Sequence, residues 1–224
     1  MQTIDSKGDD LFKTYLSSTN VIDTDISSDN KYLSIAEVNF SGIVVQSSIK
    51  TISMEEAKKN SNNSIKNNYL AKADDLIINI KYNNKNDLLC MYDKHIDILK
   101  DEGNKELVNF ANDDVLFSDI NSTSKITEVI KESNGFLNSS IKLKLINNNN
   151  IEDIKTYEIE STPKKVYVQG NMIAINLGTS VIFINDNGWM VKKYKSNKEE
   201  IQDIVMCDDV AGVISKDRVN IVSL

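Results

Sequence analysis

The sequence predicts an all-β fold, a β-propeller of about five four-stranded blades, and three observations predict it. A strand-turn-strand pattern returns about five times, on first strands that begin near Val21, Leu76, Val115, Val166 and Ile204. Repetition at this kind of interval, with four strands per unit, is how propeller blades read in sequence. The apolar share is dominated by Ile, Leu and Val, which pack well on a pleated surface, while Asn, Asp, Ser and Gly build the turns. No segment keeps a helical period beyond two turns.

The first unit spans 21–54. Its strands are 21–26, 32–36 and 44–52, with a turn at Ser28-Asp29-Asn30-Lys31. Residues 55–68, rich in Lys, Asn and Ser, read as a long exposed connection with one frayed helical turn. The second unit has strands at 76–82, 88–92, 95–99 and 107–110. The third starts at Val115 and continues through 125–130, 141–146 and 155–159, with the asparagine run 147–150 as a loop. In the fourth, 166–168 and 172–177 flank Gly170-Asn171, 181–184 follows Gly178-Thr179, and 189–194 follows Asp186-Asn187-Gly188. Asn-Gly between alternating apolar runs is a strong hairpin signal. The fifth has three strands, 203–206, 210–214 and 219–222. Residues 11–16 read as an outer strand and 2–5 as the end of a third strand. The expectation is one propeller domain over 1–224, either closed by the N-terminal strand or forming the later part of a longer propeller.

The 224 residues suffice for one large β domain, with 40% apolar and 26% charged residues. Net charge is −7, and arginine occurs once, at Arg218, so nucleic acid is an unexpected partner. Cys90 and Cys207 lie in different strands and read as buried free thiols. No stretch approaches the ~18 apolar residues of a membrane span, and residues 1–10 lack a signal-peptide apolar core.

The strings Asn171-Met-Ile-Ala-Ile-Asn-Leu-Gly178, Asn187-Gly-Trp-Met-Val-Lys-Lys-Tyr194, Ile201-Gln-Asp-Ile-Val and Val210-Ala-Gly-Val-Ile214 resemble the last blades of a clostridial β-propeller family of unknown function. Asp23-Thr-Asp-Ile26, Tyr32-Leu-Ser-Ile-Ala-Glu-Val38 and Ser41-Gly-Ile-Val-Val-Gln46 resemble another of its blades. The longer members carry an N-terminal membrane anchor before an extracytoplasmic propeller, so the resemblance implies a later portion of such a protein. It brings no activity and no catalytic residues.

Candidate chemistry is sparse. His95, the only histidine, cannot alone make a His-based metal site and reads as a structural strand-edge residue. Asp23, Asp25 and Asp29 form an acidic group around a hairpin. Asp23 and Asp25 share one sheet face, which permits a shared cation, but EF-hand spacing is absent, so strand and turn capping is the preferred reading. Glu37 ends an apolar strand and points a carboxylate toward a central channel, where Asp119 also belongs. Trp189, the sole tryptophan, reads as a packing residue between neighbouring blades, with a surface binding platform as the alternative. Lys192, Lys193 and Lys195 around Tyr194 read as guards of an outer edge.

No phosphate loop, Cys-x-x-Cys pair or nucleophile motif is present, so no cofactor, no metal and no catalytic residue is expected. The functional expectation is a non-catalytic binding or scaffolding module of the bacterial cell envelope, presenting blade loops to a protein or envelope polymer. The binding candidates are Asp23, Asp25, Glu37, Asp119 and Trp189. The rival is a small-ligand receptor or hydrolase-like enzyme with its site in the central channel. Membrane contact is expected only through an anchor absent from this chain.

Overall fold

The computed structural model describes residues 2–13, 19–60, 64–73, 75–100, 104–110, 114–120, 125–133, 139–147, 150–197, 199–207 and 209–224. The chain divides into two compact units, Met1–Ala111 and Asn112–Leu224. The first opens with a hairpin, β1 (Gln2–Ile4) and β2 (Asp10–Lys13). The first four-stranded sheet follows: β3 (Asn20–Ile26), β4 (Tyr32–Asn39), β5 (Gln46–Ser53) and β6 (Ile65–Leu70), with helix α1 (Met54–Lys59) before β6. The second sheet holds β7 (Ile77–Tyr82), β8 (Leu88–Tyr92), β9 (His95–Leu99) and β10 (Lys105–Asn109).

The second unit has three sheets. The third sheet comprises β11 (Asp114–Ile120), β12 (Lys125–Ser133), β13 (Ser139–Asn147) and β14 (Asn150–Ile159). The fourth comprises β15 (Lys165–Gln169), β16 (Met172–Asn176), β17 (Ser180–Asn185) and β18 (Met190–Lys195). The fifth has β19 (Asp203–Cys207), β20 (Val210–Ile214) and β21 (Val219–Ser223). Every sheet is an antiparallel meander in chain order, and the first strands fall within a residue of the expected starts. The fold is all-β, with about five blade-like sheets.

Packing within each unit is face on face. On β4, Leu33 and Ile35 pack with Phe12 of the hairpin and with Met54 and Ala57 of α1. Ala36, on the opposite face, packs with Ile77, Ile80, Cys90 and Tyr92 of the second sheet. Covering both faces makes β4 and β8 nearly continuous buried runs instead of alternating ones. In the second unit, Val129 and Leu143 of the third sheet pack against Ile175 and Ile184 of the fourth. Ala174 and Phe183, on the fourth sheet's other face, meet Ile204, Met206 and Val213 of the fifth. Burying one such side chain contributes roughly 1.5–3 kcal/mol, so neighbouring sheets hold each other together.

Several expectations need correction. Residues 55–68 are not a plain connection, because they contain α1 and the edge strand β6. Ser53 caps α1 by accepting from Glu56 N, with Glu55 and Glu56 in its first turn and Lys58 and Lys59 in its last. The outer strand expected at 11–16 is β2, while residues 14–16 lie outside the described residues. In the expected 147–150 loop, Asn147 ends β13 and Asn150 begins β14, and 148–149 lie outside the described residues. Neither cysteine is in a disulfide, as expected, but only Cys90 is buried; Cys207, at the end of β19, is exposed.

Candidate functional site

Asp23 and Asp25 alternate with Thr24 on β3 and lie opposite Ala36 and Ser34, on the face that meets the second sheet. β7 is an edge strand of that sheet, with backbone donors that no strand partner satisfies. Asp23 Oδ2 accepts from Ile80 N at 3.0 Å, and Asp25 Oδ2 accepts from Tyr82 N at 2.7 Å. Asp25 also pairs with Lys81 at 3.0 Å, and Asp23 Oδ1 caps Thr24 N. The two carboxylates share a face, as expected, and are staples between two sheets. Beside them, Tyr82 Oη, Ser34 Oγ and Thr51 Oγ1 form a hydroxyl chain with links of 2.8 and 2.9 Å. Burial pushes the Tyr82 hydroxyl pKa up.

Glu37 sits on the opposite face of β4, the face of Leu33 and Ile35, and is fully buried. Its Oε2 pairs with Lys50 at 2.7 Å, while Oε1 has no partner among the described residues. Asp119 is half-buried on β11 in the second unit and caps Ile120 N through Oδ1 at 2.8 Å. Asp29 accepts from Ser27 Oγ and Lys31 N and holds the β3–β4 turn, the capping role expected of it. His95 stacks on Tyr92 with centroids 4.2 Å apart and lies 3.7 Å from Asp97. Burial pushes the Asp97 carboxyl pKa up. Among the described residues no cluster of His, Cys, Asp or Glu has the arrangement of a metal site.

Two loops present apolar side chains to solvent. Residues 40–45 join β4 to β5, and Phe40, Ile43, Val44 and Val45 are all exposed, Ile43 completely. Asn39 Oδ1 fixes the base of this loop by accepting from Ser41 N and Ser41 Oγ. In the second unit, Trp189 is 72% exposed, followed by exposed Met190 and Val191. Asn185 Oδ1 accepts from Trp189 N and Asn187 N, and Gly188 takes φ +80°. That exposure corrects the packing role expected of Trp189. Lys193, on edge strand β18, pairs with Glu160.

Sequence reasoning missed a third feature, a groove of about 360 Å³ between the first two sheets. Tyr32, Tyr69, Tyr82, Lys66, Asn67 and Lys100 line it. These residues come from separate strands of two sheets, so no local motif announces them. Asn86 at its edge takes φ +64° and accepts from Ser28 Oγ and Asp29 N, tying the β7–β8 turn to the β3–β4 turn.

The chain is similar to Hsv2 of Kluyveromyces lactis, at 12% identity and a TM-score of 0.51, covering 92% of this chain and 74% of that one. It is also similar to prolyl oligopeptidase B of Galerina marginata bound to a 25mer macrocyclization substrate, at 11% identity and a TM-score of 0.61. That likeness covers 98% of this chain and 37% of the peptidase. At such identities the likeness is one of fold, the β-propeller fold expected from the sequence. No curated protein matches the sequence. Over residues 1–224 the chain belongs to the family of unknown function DUF5711.

Proposed function

We propose that this chain is a non-catalytic binding or scaffolding module of the bacterial cell envelope, presenting blade loops to a protein or envelope polymer. The observation that carries this reading is the pair of exposed apolar groups at chain turns, Phe40 with Ile43, Val44 and Val45 in the 40–45 loop, and Trp189 at the β17–β18 turn continued by Met190 and Val191 at the start of β18. Contiguous exposed apolar side chains on loops held by a rigid scaffold mark interaction sites. The candidate carboxylates have structural partners: Asp23 and Asp25 bind the β7 backbone, and Glu37 pairs with Lys50. That favours binding over general acid-base chemistry, which needs a placed pair facing substrate. Among the described residues no helix is long and apolar enough to cross a membrane. The resemblance to anchored clostridial proteins supports a location on the extracytoplasmic face, with the propeller held there by an N-terminal anchor in the full-length form.

Co-sedimentation with a bacterial envelope preparation tests this reading. The purified chain is expected in the pellet, and the Phe40→Ser/Ile43→Ser/Trp189→Ala variant in the supernatant with an unchanged melting temperature. Equal partition of the two proteins would overturn the role of the loops.

A further inference from the structure

We propose that the groove between the first and second sheets binds an acidic saccharide. Tyr32, Tyr69 and Tyr82 line it; Tyr82 is buried, and the half-buried rings of Tyr32 and Tyr69 offer apolar surface to the C–H face of a sugar ring. Its volume of about 360 Å³ falls within the range of roughly 300–1,000 Å³ of small-molecule sites. Asn67 and Asn86 also line it. The Asn86 carbonyl is engaged by Ser28 and Asp29, which fixes the side chain and leaves its amide nitrogen as a donor for hydroxyl groups.

The charge at the groove favours an anion. Lys66 and Lys100 are exposed and line it, and neither has an ion pair among the described residues. Asp87, also in the lining, accepts from Asn83 Nδ2 at 3.1 Å. Two uncommitted ammonium groups beside tyrosine rings and amides suit a sugar bearing a carboxylate or a phosphate. The chemistry is that of a uronate or sugar-phosphate chain.

The site stands apart from the 40–45 loop. That loop follows β4, as the 71–76 connection follows β6 and the 93–94 turn follows β8, at one end of the two sheets. Tyr32, Lys66, Asn86 and Lys100 all lie at the opposite chain reversals. The two sites can therefore succeed or fail separately.

Titration calorimetry on the purified chain tests the proposal, with trigalacturonate, maltose 1-phosphate and neutral maltotriose as probes. Binding of either acidic probe, with affinity falling as salt rises, supports it, and the one preferred identifies the anion. Lys66→Ala/Lys100→Ala is expected to weaken that binding about tenfold, as loss of charge-assisted contacts does. Both side chains are exposed, so an unchanged melting temperature shows that the fold is kept. A second variant, Asn67→Ala, is expected to weaken the acidic probe less. Absence of heat with both acidic probes at about ten millimolar, well beyond the weak limit of specific binding, overturns the proposal. Equal binding of maltotriose with no effect of the lysine substitutions overturns it as well.

Discussion

Asp25 shows how one residue joins two sheets. Its side chain is 16% exposed, and its Oδ2 satisfies Tyr82 N on the free edge of β7 while Oδ1 meets Lys81. Asp25→Ala leaves that backbone donor without an acceptor and is expected to cost about 1–3 kcal/mol. Asp25→Asn keeps a carbonyl acceptor and loses only the half-screened ion pair, so its cost is expected to be well under half as large. Urea unfolding of both variants, compared by midpoint at constant m-value, checks this. Equal losses would mean that the charge, not the bond to Tyr82 N, does the stapling. The shared face of Asp23 and Asp25 was legible from the two-residue period alone. Their acceptor role was not, because it depends on which strand lies across the gap, and β7 begins more than fifty residues further on. The same limit hid the groove, whose tyrosines and lysines become neighbours only when the first two sheets dock.

At the scale of elements, legibility followed burial. β8 and β9 lie where the apolar runs placed them, because both faces of these strands pack against something. β6, Ile65-Lys66-Asn67-Asn68-Tyr69-Leu70, carries no apolar alternation, since an exposed edge strand is held by its backbone bonds to β5. The β17–β18 hairpin was readable because Asn187-Gly188 encodes its backbone, with Gly188 at φ +80°. A Cβ at Gly188 would also meet Lys155 Cβ at 3.1 Å, whereas one at Gly170, at φ +55°, would meet nothing within 4 Å. Gly170→Ala therefore carries the left-handed cost alone, about 1–2 kcal/mol. Gly188→Ala is expected to cost more, because β14 must yield as well. Thermal melts of the two variants separate the terms, and equal shifts would show that the Lys155 contact relaxes freely.

At the scale of the whole molecule, neighbouring sheets within each unit hide apolar faces against one another, and the fifth sheet tests that rule. Its one face, Ile204, Met206, Ala211, Val213 and Val222, packs against the fourth sheet. The register aligns Val205, Gly212 and Ile221 on the other face, with Val210 and Val219 beside them. Val205 and Val219 are 56% exposed and Ile221 is 73% exposed. Among the described residues the sheet has three strands where each of the other four blade-like sheets has four, so β21 also offers an edge that no described strand pairs. An apolar face next to a free edge favours association. The chain is expected to associate as its concentration rises from roughly micromolar to millimolar, the range in which such surfaces find one another. Val205→Lys/Ile221→Lys places charge on that face without touching the packed one, so it is expected to stay monomeric with a melting temperature within a few degrees of the parent. Light scattering behind size exclusion at two concentrations reads the difference. A parent chain that is monomeric throughout would show that this face is tolerated in water, and the rule of mutual cover would then not extend to the last sheet.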